Sequence, residues 1–155
     1  MIWLRAVSFV LLVQVTVVGI IPWWLSRSGP RLALGPWRLA GLVPLAIGIA
    51  LLAVCNVRFV REGRGTAAPY DPPPRLVIQG PYRYARNPMY LSASLIVIGL
   101  GLWLQAPWLL GWAAVITIAY NLFVRYYEEP HLRSRFGAEY AAYLREVPRW
   151  WPRLP

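Results

Sequence analysis

Three long stretches of the chain carry no charged residue: positions 6–26, 39–57 and 87–124. The first two, 21 and 19 positions long, each suffice to cross a hydrocarbon core of ~30 Å at ~1.5 Å per residue. Each predicts one transmembrane helix. The third, at 38 positions, would be about 57 Å long as one helix, nearly twice that core, and so predicts two spans. The break falls at Ala106-Pro107, because proline ends the preceding helix and fits the first turn of the next. The expected fold is an all-α polytopic membrane protein with about four transmembrane helices, at 6–26, 39–57, 89–105 and 107–126, the last two forming a helical hairpin. A signal peptide is the alternative for the first span. Its apolar stretch exceeds the usual ~7–15 residues, however, and Pro22-Trp23-Trp24 stands where a small-residue cleavage site belongs.

The polar remainder falls into two kinds of segment. The loop at 58–88 runs through Gly63, Gly65, Pro69, Pro72, Pro73 and Pro74, which forbids helix and most strand pairing and predicts an extended, polyproline-like path. In the tail at 128–155, Pro130 suits a helix start, and Leu132, Phe136, Tyr140, Tyr143 and Leu144 recur at helical spacing. That predicts a C-terminal amphipathic helix, lying at the interface or packed on the bundle. No internal repeat is present, and residues 1–155 read as a single domain.

Composition supports the membrane reading. The 155 residues are 58% apolar, with nine Trp and nine Tyr, too oily for a soluble domain of this size. Most of the Trp stand near span ends, as interfacial belts do. The net charge of +10 comes from arginines clustered between the uncharged runs, so a nucleic-acid partner is not expected. Thirteen Arg fall on the side of the N-terminus, the 58–86 loop and the tail, against Arg27, Arg31 and Arg38 on the other. The positive-inside rule then makes both termini cytoplasmic. One cysteine, Cys55, and one histidine, His131, exclude an intrachain disulfide and a Cys-based metal cluster, and no metal is expected. No G-x-S-x-G context surrounds a serine, which removes the common hydrolase arrangement.

Two polar segments flank the hairpin. Gln79-Gly80-Pro81-Tyr82-Arg83-Tyr84-Ala85-Arg86-Asn87-Pro88-Met89-Tyr90 enters it, and Arg125-Tyr126-Tyr127-Glu128-Glu129-Pro130-His131 leaves it. A hairpin returns its chain to the same membrane face, so the segments meet. Each has an ordinary structural reading: Asn87-Pro88 as a helix cap, the tyrosines as belt residues, and Glu128 or Glu129 as a helix end paired with Arg125 or Arg133. Adjacent glutamates on a helix point about 100° apart, so at most one of the two faces a given ligand. His131 reads as an interface residue.

The order of these features resembles the isoprenylcysteine carboxyl methyltransferase and phospholipid methyltransferase superfamily. The resemblance rests on Leu76 to Leu91, the hairpin, Glu128-Glu129, and then Leu132, Phe136-Gly137, Glu139-Tyr140, Tyr143 and Val147-Pro148-Arg149. Gly65-Thr66-Ala67-Ala68-Pro69 and Asp71-Pro72-Pro73 are also similar to bacterial members. It covers roughly residues 58–152. It implies an integral membrane enzyme of the bacterial inner membrane that binds S-adenosylmethionine on the cytoplasmic side and methylates a lipophilic acceptor, whether carboxylate, amine or thiol. Carried over by position, the cofactor-contacting residues are Pro74, Arg75, Leu76 and Val77 in a strand-like stretch, Tyr82, Asn87, Pro88, Met89, Tyr90 and Glu128. Arg86 or Arg125 would orient an anionic acceptor group, although Arg125 is one residue out of register with the substrate-contacting arginine of the eukaryotic enzymes. Those enzymes carry His where Asn87 stands, so here only a hydrogen-bonding role is kept. Two other readings stay open: a small transporter, which would need an ionisable residue inside a span where none exists, and a non-enzymatic membrane protein binding anionic lipid or a partner through its Arg clusters.

Overall fold

The computed structural model describes residues 8, 10–63 and 74–151. The Gly- and Pro-rich run at 64–73, expected to be extended, lies outside them, as do Trp3, Arg5, Arg153 and the two ends of the chain. Among the described residues the protein is all-helical, with no strand. The 74–77 stretch, expected to be strand-like, is therefore bend and coil.

Helix α1 (residues 10–26) starts as wide π-type turns over Val10–Gln14 and Thr16–Ile20 and tightens to α over Ile21–Ser26. A 3₁₀ segment, Gly35–Gly41, leads into α2 (Leu42–Arg61). Helix α3 is Pro88–Trp103 and α4 is Pro107–Phe123, each opening on a proline in its first turn. Helices α2 and α3 approach until backbone meets backbone. A Cβ on Gly48 would stand 2.8 Å from the Ser92 carbonyl oxygen, and one on Gly99 2.6 Å from the Leu45 nitrogen, so only glycine allows this crossing.

The hairpin turns at 104–106, where Gln105 adopts φ +56° and the Ala106 N–H donates to the Gly101 carbonyl at 2.9 Å. The loop before α2 latches onto this turn. Leu32 N–H donates to the Gln105 carbonyl (2.7 Å), Leu34 N–H to Gln105 Oε1 (3.0 Å), and Arg31 Nη1 to the Leu104 carbonyl (2.7 Å). Beneath it, Val97, Ala106, Leu109, Ala113 and Ile116 form a buried core with Val17, Val18 and Leu25 of α1 against it.

A separate tail helix is not what the structure shows. The second arm of the hairpin runs on through a π turn, Val124–Glu128, into α5 (Glu129–Glu146), which kinks at Gly137. The wide turn carries the Glu129 N–H to the Val124 carbonyl, five residues back. It thereby absorbs Pro130, whose ring would otherwise press on the preceding α turn. The apolar face of α5 packs on the bundle: Tyr140, Tyr143 and Val147 are buried with Leu76, Leu132, Phe136 and Leu144 around them.

Two stretches, Gly35–Arg61 and Pro107–Glu146, are long and apolar enough to cross a membrane, and Leu12–Ser26 and Pro88–Trp103 are shorter apolar helices. The second long stretch has 40 residues, about 60 Å of helix, so only its first half fits a hydrocarbon core. Val43, Ile47, Val115 and Ile118 are each more than half exposed, which suits lipid and not water.

Candidate functional site

At the open end of the hairpin the chain enters through a 3₁₀ turn, Gly80–Arg83, and leaves through the π turn. The C-terminal segment after α5 then folds across both. Arg86 N–H donates to the Pro148 carbonyl at 2.9 Å, and Asn87 Nδ2 donates to the Arg149 carbonyl at 3.2 Å. The Tyr143 hydroxyl donates to the Tyr82 carbonyl at 2.7 Å, and Trp150 Nε1 to Asn121 Oδ1 at 3.2 Å. Asn87 thus spends its amide on this strap and makes no side-chain cap bond to α3.

The two glutamates diverge as helix geometry requires. Glu129 is buried and held by Arg149, whose Nε and Nη2 each donate at 2.8 Å, with Arg86 Nη1 at 3.1 Å. Its ion pairs are with these two arginines, neither of which is the Arg125 or Arg133 of the helix-end reading. Burial alone would raise its pKa, but the hydrogen bonds and charges of Arg149 and Arg86 outweigh that and hold the carboxyl below its usual range. Glu128 faces the other way. The Tyr90 hydroxyl donates to its Oε2 at 2.8 Å, and Tyr90 itself stacks on Tyr120 with centroids 4.6 Å apart. Burial pushes the Glu128 carboxyl up, against the Tyr90 hydrogen bond and helped by the charge of Glu129.

Tyr82 is buried with Cys55 and Val77, with Met89 packed against them, and meets Phe59 edge-on at 5.6 Å. Met89 Sδ accepts from Gln14 Nε2 at 3.3 Å, and Gln14 and Asn56 hydrogen-bond each other. Pro88 is buried, Leu76 packs on the tail cluster, and Pro74 and Arg75 are exposed. Arg125 is not brought to the others: it is exposed, with its guanidinium 5.7 Å from the Tyr126 ring. A groove of about 770 Å³ opens beside the site, between residues 78–84 and 143–147, with Arg58 and Arg83 on its walls. None of 74–77, 82, 87–90 or 128 lines it.

Among the described residues four buried side-chain polar atoms make no well-aligned hydrogen bond: Glu62 Oε2, Tyr82 OH, Arg86 Nε and Arg86 Nη1, the last of which still ion-pairs with Glu129. Buried polar groups are rarely left so, and three of the four cluster at the hairpin entrance. The sequence did not expose Arg149 as the partner of Glu129, nor Gln14, Asn56 and Asn121 as polar groups of the bundle. For Arg149 a signal was present, because it closes the Val147-Pro148-Arg149 motif. For the three amides only their isolation in apolar runs marks them.

Comparison with known proteins finds relatives over part of the chain. The chain is 35% identical over 83 residues to a nickel-cobalt-cadmium resistance protein of Alcaligenes xylosoxydans xylosoxydans, covering 51% of this chain and 37% of that one. It is 37% identical over 82 residues to a cobalt-zinc-cadmium resistance protein of Cupriavidus metallidurans, covering 51% and 36%. An uncharacterized protein of Haemophilus influenzae is 42% identical over 64 residues, 40% of this chain and 98% of that one. The match thus spans little more than a third of either metal-resistance relative. No solved structure matches the chain. The family model described as phospholipid methyltransferase matches residues 37–139, which takes in α2, the hairpin and both flanking polar segments, so the chain belongs to the phospholipid methyltransferase family.

Proposed function

We propose that the protein is an integral membrane methyltransferase that takes its methyl group from S-adenosylmethionine and passes it to a lipophilic acceptor at the cytoplasmic face of a bacterial inner membrane. The observation that carries this reading is the family match across both mouth segments. Four apolar helical stretches, two of them short, are the four spans of the reading, with both ends of the described chain on the arginine-rich side.

The residues present fit the cofactor. Glu128 Oε2 is taken by Tyr90, and Oε1 is left to accept from an ammonium or a ribose hydroxyl. Arg86 Nη1 is engaged by Glu129 at 3.1 Å, but its buried Nε has no hydrogen-bond partner, which suits an acceptor oxygen and favours Arg86 over the exposed Arg125 as the anion-orienting residue. Pro74 to Val77 offers backbone groups, and Tyr82, Asn87, Pro88 and Met89 wall the entrance. When bound, the sulfonium supplies an electrophilic methyl group. The chain's own work is to hold acceptor and methyl in line and to keep water out. Such a transfer needs no protein-bound metal and no covalent intermediate on the chain.

The test is incubation of purified protein in detergent with labelled S-adenosylmethionine and a membrane lipid extract, followed by mass spectrometry of the labelled product. A labelled lipophilic product is expected. Cofactor binding with no labelled product from any extract would turn the reading toward a non-enzymatic membrane protein. The two metal-resistance relatives favour a second, wider role in tolerance of metal ions. Among the described residues no group of three or more His, Cys, Asp or Glu side chains is placed to hold a metal.

A further inference from the structure

Between α3 and α4 the polar contacts form a continuous seam. Ser94 Oγ and Thr117 Oγ1 share a hydrogen bond of 2.9 Å, Tyr90 stacks on Tyr120 and bonds Glu128, and Trp150 closes on Asn121. Thr117 and Asn121 lie four residues apart and share one face of α4, while Glu128, beyond the π turn, joins the seam through Tyr90 and its stack on Tyr120. The seam therefore leads from the hydrocarbon level of the hairpin to the carboxylate at its mouth.

Thr117 and Asn121 are both exposed, and Asn121 is the one nearer the mouth. Its Oδ1 accepts from Trp150 Nε1, which fixes the amide and leaves Nδ2 with two donor hydrogens. Among the described residues no group accepts from Nδ2. The amide donor stands on a surface where Ile118 and Leu122 are 61% and 49% exposed, so a ligand with an apolar body there brings its oxygen within reach of it.

We propose that Asn121, oriented by Trp150, is the head-group subsite of the acceptor, and that it takes a molecule with a hydrogen-bond-accepting oxygen on a long apolar body. The inference rests on the methyltransferase reading above. It differs from an arginine clamp in the charge it selects: a neutral amide accepts a carbonyl, ester or hydroxyl oxygen as readily as an anionic one. The apolar body lies along the outer face of α4, where Ile118 and Leu122 are exposed, and the oxygen is held at Asn121.

The test uses the full chain in detergent, labelled S-adenosylmethionine, and a membrane lipid extract titrated as acceptor source. Asn121→Leu should raise the half-saturating extract concentration about tenfold, the scale of one lost hydrogen bond to a ligand, with cofactor affinity by calorimetry within about twofold of wild type. Trp150→Phe keeps the ring and removes the N–H, and should raise it about threefold. Asn121→Gln, which keeps the donor, should recover part of the loss and guards against a folding defect in Asn121→Leu. If wild type makes labelled product and both Asn121 variants keep its half-saturating concentration, the subsite is overturned and the methyltransferase reading stands. If wild type neither binds cofactor nor labels anything, that reading fails and the subsite falls with it.

Discussion

The two ends of the hairpin handle their polar groups in opposite ways. At the turn end, Leu32, Leu34 and Arg31 donate to Gln105 and Leu104, and among the described residues no buried side-chain polar atom there lacks a partner. At the mouth end, Glu129 is over-supplied with cations, Arg86 Nη1 among them, while Tyr82 OH and Arg86 Nε are buried without hydrogen-bond partners. The same two helices carry both ends, so helix packing does not explain the contrast. A closed polar set stabilises, and an open one retains capacity for a ligand.

The sharpest way to break the contrast is to remove the hub of the mouth. Glu129→Ala leaves Arg86 and Arg149 without their shared counter-charge and should cost about 3 kcal/mol, the low end for a broken buried pair because Arg149 is about a third exposed. Thermal unfolding in detergent reads this, and an unchanged Tm would show that the node is not holding the strap. Next comes Glu128→Ala, expected to weaken S-adenosylmethionine by about 1.5–3 kcal/mol if one charge-assisted hydrogen bond is lost. Calorimetry giving wild-type affinity would remove Glu128 from the cofactor site.

The adjacent glutamates also predict opposite pH behaviour. The folded pKa of Glu129 lies below its unfolded value, so its contribution is present above about pH 4.5 and is lost as pH falls through the folded pKa. Glu129→Gln should therefore lower Tm at pH 7 and narrow the gap on acidification. Glu128 is raised, so as a carboxylate it works against folding at neutral pH. Glu128→Gln should raise the Tm of the ligand-free protein slightly at pH 7, with the gain vanishing in acid. Tm–pH curves of the two variants that move in the same direction would contradict this division. Smallest of all, Arg31→Ala removes one exposed hydrogen bond at the turn end and should cost about 0.5 kcal/mol. It should leave cofactor affinity unchanged, and a loss of affinity would show that the two ends are coupled.

Much of this frame was legible in the sequence because its signals are local. Charge-free length marks the apolar helices, and Pro107 marks the turn to within a residue of where α4 begins. The apolar side chains of 132–144 mark the face of α5 that is buried. What was not legible depends on partners distant in sequence. Pro130 reads locally as a helix start, yet a π turn carries the helix straight through it. Arg86 reads as a free cation until Glu129 lies against it, and Arg149 reads as a tail residue until the strap folds back. Asn121 carries no pattern of its own, and only Trp150, 29 residues on, shows what its amide is doing.

The π turn at Val124–Glu128 also fixes how the chain tolerates change in length. A wide turn holds one residue more than an α turn over the same rotation. Deleting one residue between 124 and 128 would let the helix close into regular α geometry, and everything after it would rotate by about 100° relative to α4. Glu129 would leave the quadrant of Arg86 and Arg149, and the buried face of α5 would turn off Leu76. Substitutions in this turn change side chains one at a time, whereas a single-residue indel resets the angular register of everything from Glu129 onward.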